Sequence, residues 1–191
     1  FTCRFSYKMV KENDIASVYK LYVDDLYTYA CYLGFNKDIV LDAIHDVFFK
    51  LACDKKKMSE ISNIKFYLFR SLKNRLLDIL KARSPLSLSE IDLSSEMSFN
   101  IKVNVEEILI ETEEKQRIKN QIEEMLNTLN KRQREIVYLR YIQEYDYQQI
   151  SELMGMSVEN CHKLVYRSIQ NLREKFGPLV LILLFSTLLK N

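Results

Sequence analysis

The sequence predicts an all-α protein: two small helical domains joined by a flexible acidic linker. Three observations carry that prediction. Glycine and proline are scarce, 3 and 2 in 191 residues, so long uninterrupted helices are expected and many tight β-turns are not. Apolar residues recur at i, i+3, i+4 and i+7 over several long stretches, the period of a half-buried helix. Charge also comes in blocks: residues 1–83 hold 15 Lys/Arg against 10 Asp/Glu, residues 84–130 hold 4 against 10, and residues 131–178 hold 8 against 6. Two basic blocks flanking an acidic one suggest two polyanion-facing modules and a connecting segment of opposite character.

The first module is placed at residues 10–83. Ile15, Val18, Tyr19, Tyr22, Val23, Leu26, Tyr29, Ala30 and Leu33 set out a strongly amphipathic helix, capped near Asn13 or Asp14 and stopped by Gly34. Asn36 is placed to cap the next helix, whose apolar face is Ile39, Val40, Ala43, Ile44, Val47, Phe48 and Leu51. Its other face carries Asp42, His45, Asp46 and Phe49, which reads as a docking face for a partner or as a solvated one. The His45-Asp46 dipeptide does not amount to a metal centre, because several further ligands are needed and His162 is the one other histidine. Residues 54–63, DKKKMSEISN, break the periodicity and read as a loop rich in lysine. A helix then runs from about Ile64 to Arg83, with Ile64, Leu68, Leu72, Leu76 and Ile79 as its buried stripe. Lys65, Arg70, Lys73, Arg75, Lys81 and Arg83 project elsewhere, with Phe66, Tyr67 and Phe69 among them. Cations beside aromatics suit single-stranded or melted nucleic acid, where charge holds phosphates and rings receive unstacked bases. Composition alone favours the plainer reading of core aromatics and solvated lysines.

The linker is placed at residues 84–112. Pro85 ends the preceding helix, and residues 84–104 hold six serines and three acidic residues without helical periodicity. The helical pattern resumes from Val105, and the second module is placed at residues 113–178. Ile118, Ile122, Met125, Leu126 and Leu129 lead into a helix expected over Leu129–Ile142, with Lys131, Arg132 and Arg134 at its start suited to phosphate contacts. Asp146 with Gln149 forms a capping-box pattern for the helix whose apolar face is Ile150, Leu153 and Met154. Gly155 then ends that helix, and Ser157 caps another with apolar face Val158, Cys161, Leu164, Val165, Leu172 and Phe176. Helix, short Gly-containing turn and helix form the helix-turn-helix pattern, whose second helix can enter a DNA major groove. An ordinary helical hairpin has the same local signals and stays open.

The four cysteines, Cys3, Cys31, Cys53 and Cys161, show no CxxC spacing, and with two histidines they assemble no local zinc set. They read as reduced thiols of a cytoplasmic protein, and no cofactor is implied. No signal-peptide pattern opens the sequence, and a start at Phe1 rather than Met leads one to expect residues before it. The tail, residues 179–191, is nearly all apolar. Its apolar run makes a helix of roughly 16 Å, too short to cross a hydrocarbon core that needs about 20 residues. It is expected to pack back on the second module, to dock another protein or to touch a membrane surface.

The order LYVDDLYTYACYLGF, DAIHDVFFKL, NIKFYLFRSLKNRLLDILKAR resembles region 2 of bacterial RNA polymerase sigma factors of the extracytoplasmic-function (ECF) type. The stretch from Leu129 to Phe176 resembles region 4 of the same family, where the pattern is Leu-x-x-x-x-Arg-Glu-Ile-x-x-Leu-Arg-Tyr, then an Ile-x-x-Leu-Gly-Met-Ser helix-turn, then a recognition helix ending in Leu-Arg. Two signatures in the right order make a more specific match than either alone. The resemblance implies a sigma factor that binds core RNA polymerase, through the β′ clamp helices and the β subunit, and directs it to promoter DNA. It implies polymerase docking by Asp42, His45, Asp46 and Phe49, with His45 standing where the family usually has Gln. The loop Asp54–Asn63 would capture a flipped base of the −10 element, and Asn63, Lys65, Arg70, Lys73, Asn74 and Arg75 would contact −10 DNA. Tyr67 takes the usual Trp position and is expected in the core. Contacts to the −35 element fall to Arg132, Arg134, Ser157, Asn160, His162, Lys163, Tyr166 and Arg167. Leu164 stands where an Arg is common, so weak or unusual −35 preference is expected. The acidic linker would lie in the polymerase RNA exit path or serve as an unattached tether, and an anti-sigma factor or other regulatory protein would act through the tail. Two other readings stay open: a helical adaptor that binds polymerase while another factor chooses the promoter, and a stand-alone helix-turn-helix regulator.

Overall fold

The computed structural model describes residues 15–54, 60–83, 99 and 124–177, and among them every regular element is helical. The linker and tail assignments, the caps at Asn13 or Asp14 and the lysines of the 54–63 loop lie outside the described residues. The chain divides into two compact units, one up to residue 83 and one beyond it, with residues 32–34 grouped with the second.

The first unit is built on α1 (Ile15–Tyr32), α2 (Lys37–Cys53) and α3 (Ile64–Arg83). Helix α1 buries Val18, Tyr22, Leu26, Tyr29 and Ala30, the stripe that its sequence period sets out. Gly34 ends it at a φ of +93°, and the Phe35 amide reaches back to the Ala30 carbonyl at 3.4 Å, the six-residue closure of a Schellman turn. Asn36 starts α2 by accepting from the Ile39 amide at 3.0 Å, as its sequence position predicts. Val40, Ala43, Ile44, Val47, Phe48 and Leu51 then face the core. Helix α3 lies against α2 and buries Leu68, Phe69, Leu72 and Leu76. Two aromatic pairs fill the unit: Tyr19 meets Phe48 edge-on at 4.9 Å and Tyr29 meets Phe69 at 5.1 Å. Phe69 is thus a core residue, the plainer of the two readings of the α3 aromatics, whereas Tyr67 is only half-buried where a core position is expected.

In the second unit, residues 124–127 are helical and are followed by α4 (Lys131–Val137), a π-helical turn (Tyr138–Ile142), α5 (Tyr147–Met154) and α6 (Val158–Phe176). The expected single helix over Leu129–Ile142 is corrected at both ends. Asn130 caps the helix by accepting from the Gln133 amide at 2.9 Å, while the Gln133 side chain accepts from the Asn130 amide at 3.1 Å, so Leu129 is a buried turn residue. At the other end the Gln143 amide bonds the Tyr138 carbonyl at 3.1 Å, a five-residue step that opens the helix into the π turn. Glu144 follows at a φ of +58°, a left-handed conformation that a side chain resists. The buried Gln143 braces this turn by donating from Nε2 to the Tyr138 hydroxyl at 2.7 Å. Arg140 closes it by donating to the Tyr145 carbonyl at 2.9 Å. The ring of Phe99, itself buried, packs 5.6 Å from Tyr138.

Candidate nucleic-acid interface

The second unit aims α6 by local chemistry. Asp146 accepts from the Gln149 amide at 2.8 Å and Gln149 returns the bond to the Asp146 amide at 3.0 Å, the capping box expected from the sequence. Gly155 takes the left-handed conformation, φ 60° and ψ 42°, and the Met156 amide bonds the Ser151 carbonyl at 3.1 Å. The Ser157 hydroxyl then accepts from the Asn160 amide at 3.2 Å and starts α6. Ile150, Leu153 and Met154 of α5 and Cys161, Val165, Ser168 and Leu172 of α6 are buried, which fixes the two helices against each other. Leu164, expected among them, is only half-buried, while Ser168 takes a core position because its hydroxyl donates to the Leu164 carbonyl at 2.7 Å and so needs no other partner. Burial raises the Cys161 thiol above its ordinary pKa, as befits a packing residue rather than a reactive one.

What remains outward on α6 is Glu159, Asn160, His162, Lys163, Tyr166, Arg167 and Gln170, and in the last turn Arg173, Glu174 and Lys175. Lys163 is held by Glu159 one turn earlier at 2.6 Å, so their charges offset each other. His162 lies against the Tyr147 ring, 3.5 Å between centroids and 27° between planes, and the Arg140 guanidinium sits 4.9 Å from the same ring centroid. Sequence reading offered His162 as a DNA contact and missed the brace that it forms with Tyr147. Tyr166 is 69 % exposed, and neither it nor Arg167 is drawn into a contact among the described residues. Of the three cations expected at the start of α4, Lys131 is exposed, Arg132 is half-buried and Arg134 is 9 % exposed. The Arg134 guanidinium donates to the Asn127 side chain at 3.2 Å, and burial lowers its pKa from the ordinary value. Arg134 is therefore an internal strut of the unit in this conformation, and Ser157 spends its hydroxyl on the helix cap.

The first unit offers two faces. On α2, Asp42 and His45 are exposed, Phe49 is 70 % exposed and Asp46 is half-buried. A phenylalanine so open beside acidic and imidazole side chains has the composition of a protein-docking surface. On α3, Arg70 and Asn74 are exposed, whereas Lys73 is 4 % exposed and does not face outward in this conformation. Asn63 caps α3, its side chain accepting from the Phe66 amide at 2.9 Å. Lys65 sits 3.7 Å from Asp25 of α1, and Arg75 donates from Nε to Asp46 of α2 at 2.7 Å. The structure so links one residue expected at the polymerase face to one expected at the −10 face. A separation of 29 residues hid that pair from any reading of local pattern. Among the described residues no cluster of His, Cys, Asp and Glu could hold a metal ion, and no helix is long and apolar enough to cross a membrane.

Comparison with known proteins places this geometry. The model of sigma-70 region 4 matches residues 119–172, the span that holds the capping boxes, the Gly155 turn and most of α6. Over 170 residues, 85 % of this chain and 95 % of the relative, the sequence is 21 % identical to the ECF RNA polymerase sigma factor SigM of Bacillus subtilis (strain 168). Residues 119–172 thus carry a sigma-70 region 4 signature, and the chain as a whole is similar to ECF-type sigma factors. Its fold agrees: the sigma factor RpoE from Bartonella quintana, solved in complex with the anti-sigma factor NepR, superposes with a TM-score of 0.56 at 22 % identity, covering 85 % of this chain and 96 % of that one. The helix-turn-helix of α5 and α6 lies within the region 4 match.

Proposed function

We propose that this protein is an ECF-type sigma factor that binds core RNA polymerase through the exposed face of α2, engages and melts the −10 element with α3 and the loop before it, and contacts the −35 element with α6. The observation that supports this most strongly is the helix-turn-helix of the second unit, within the region 4 match, in a chain that aligns along nearly its whole length with an ECF sigma factor. Asp42, His45, Asp46 and Phe49 serve polymerase docking on the β′ clamp helices. Asn63, Lys65, Arg70, Asn74 and Arg75 serve −10 DNA, joined by Lys73 once it is uncovered. Melting costs stacking energy of about 1.4 kcal/mol per base-pair step, and capture of an unstacked base returns part of it. Arg132, Asn160, Lys163, Tyr166 and Arg167 serve −35 DNA. The site of action is the cytoplasm. A regulatory protein of the anti-sigma kind is a further proposed partner, by analogy with the complex of the Bartonella protein.

The test is transcription in vitro with core polymerase and the full chain. Promoter-specific initiation, with upstream protection reduced in Lys163→Ala and Arg167→Ala, is expected. Unchanged upstream protection in both variants removes those residues from −35 contact. One observation favours a second reading: Glu159 offsets Lys163, so the first two turns of α6 carry no net charge. Polymerase binding without initiation would turn the assignment to an adaptor that works beside another promoter-selecting factor.

A further inference from the structure

Helices α5 and α6 are joined at the Gly155 turn. The buried residues of α5 are Ile150, Leu153 and Met154, and none of its first three residues is among them. Tyr147 and Gln149 are half-buried and Gln148 is exposed. The core therefore fastens the two helices from the turn to the middle of α5 and leaves its far end to other contacts. Tyr147 stands at that end, about 12 Å along the axis from Gly155. On such a lever arm, a shift of about 1 Å turns one helix against the other by about 5°.

An aromatic stack occupies this end. Tyr147 of α5 and His162 of α6 have ring centroids 3.5 Å apart and planes 27° from parallel. The Arg140 guanidinium lies 4.9 Å from the centroid of the same tyrosine ring, and Arg140 is itself tied to the Tyr145 carbonyl at 2.9 Å. One ring thus joins the π turn, the first residue of α5 and the second turn of α6. Tyr141 lies beside the group: burial raises its hydroxyl pKa, Tyr147 raises it further, and the Arg140 and Arg173 charges lower it. His162 is exposed and Tyr147 half-buried, so the core does not require either ring.

We propose that Arg140, Tyr147 and His162 form a clasp that sets the angle of α6 for DNA, with Tyr147 and His162 acting as positioning residues rather than as DNA contacts. This rests on the reading that α6 meets the −35 element. The closed clasp fixes where the outward side chains of α6 stand relative to the cations at the start of α4. Opening it leaves the caps, the turn and the core intact, so the second unit stays folded while α6 spreads over several angles, and binding selects one of them.

The test compares ring-removing with ring-keeping substitutions in the full chain with core polymerase on promoter DNA. Wild type is expected to protect the upstream element. His162→Ala and Tyr147→Ala are each expected to weaken upstream binding about 2- to 15-fold, the size of one aromatic pair, with Tyr147→Ala the larger because it also releases Arg140. The double variant is expected to be no weaker than Tyr147→Ala, since both changes break one stack. Tyr147→Phe drops only the hydroxyl and His162→Phe drops both ring nitrogens; both keep the stack and are expected to stay within about 2-fold of wild type. The clasp is also read without DNA. The chain has two histidines, so the His162→Ala spectrum assigns the His162 ring protons. Their upfield shift under the Tyr147 ring is expected to vanish in Tyr147→Ala and persist in Tyr147→Phe.

Unchanged upstream binding in both Ala variants, or absence of the upfield shift in wild type, overturns the inference. Losses in the Phe variants as large as in the Ala variants would make the rings DNA contacts and overturn it too. So would losses that multiply in the double variant, or unfolding of the Ala variants at the assay temperature by circular dichroism. Wild type that binds promoter DNA without upstream protection removes the −35 reading itself, and the inference falls with it.

Discussion

Helices α3 and α6 are the two helices proposed to face nucleic acid, and they hold their charges in opposite ways. On α3 two cations reach other helices: Lys65 meets Asp25 of α1 and Arg75 meets Asp46 of α2. On α6 the pair is local, Lys163 with Glu159 one turn away. The core of α6 is confined to one arc, with Asn160, Tyr166 and Arg167 standing clear of it, whereas α3 has the amphiphilic Lys73 nearly covered. In the first unit, then, candidate contacts double as struts, and a substitution there reports on packing as well as on DNA. In the second unit Asn160, Tyr166 and Arg167 are separable from the fold, whereas Arg134, Ser157 and His162 are built into it. Orientation comes from caps and a turn, and those first three side chains can be changed without disturbing it.

The largest effect that tests this contrast lies in the core of the first unit. Leu72 is fully buried where α3 lies against α2. Leu72→Ala is expected to destabilise that unit by about 2–5 kcal/mol, from lost burial plus the cavity left behind. The protein has no tryptophan, so urea unfolding is best followed by tyrosine fluorescence and far-UV circular dichroism. Arg167→Ala in the second unit, read the same way, is expected to stay within about 0.5 kcal/mol of wild type. Comparable losses in both variants would end the claim that the α6 readers stand apart from the fold.

Next in size is the turn that aims α6. Gly155 has a φ of +60°, and a Cβ added there meets nothing within 4 Å. Gly155→Ala therefore carries the backbone cost alone, expected at about 1–2 kcal/mol for a left-handed residue with a side chain. Crowding adds nothing to it. A loss far above that range, measured by urea unfolding, would mean that α5 and α6 shift to accommodate the change, and that the turn holds the pair through packing as well as conformation.

These positions also mark where sequence reading succeeds. Gly155, Ser157, Asn36 and the Asp146/Gln149 box were legible because a cap needs a particular residue at a particular offset, and its bond partners lie three or four residues away. The amphipathic stripes of α1, α2 and α5 were legible for a similar reason, since burial follows the helical period. The π turn was not. A five-residue step at Tyr138–Gln143 leaves the apolar pattern almost intact, and its cause lies in the Gln143, Tyr138 and Arg140 bonds that close it. Buried polar residues were missed as well: Ser168 satisfies its hydroxyl within its own helix, and Arg134 and Lys73 read as surface charges. The candidate sites were legible as residue types on helix faces, but the partners that occupy them were not. Nothing in the local pattern joins Asp46 to Arg75 or Tyr147 to His162.

The smallest expected effect is the most informative about the first unit. Arg75 and Asp46 are separated by 2.7 Å, but their side chains are 38 % and 46 % exposed, so water and salt screen the pair. A double-mutant cycle of Asp46→Asn and Arg75→Gln is expected to give a coupling of about 0.2–1 kcal/mol, smaller in molar salt than in dilute buffer. So weak a strut leaves both groups available to stronger partners at little cost to the fold. If Asp46 meets polymerase and Arg75 meets DNA, as proposed, each single variant weakens its own interaction by more than the fold coupling predicts. Polymerase affinity would then fall in Asp46→Asn and hold in Arg75→Gln. A coupling well above 1 kcal/mol, insensitive to salt, would make the pair a structural lock, and the two residues would be too committed to each other to serve as contacts.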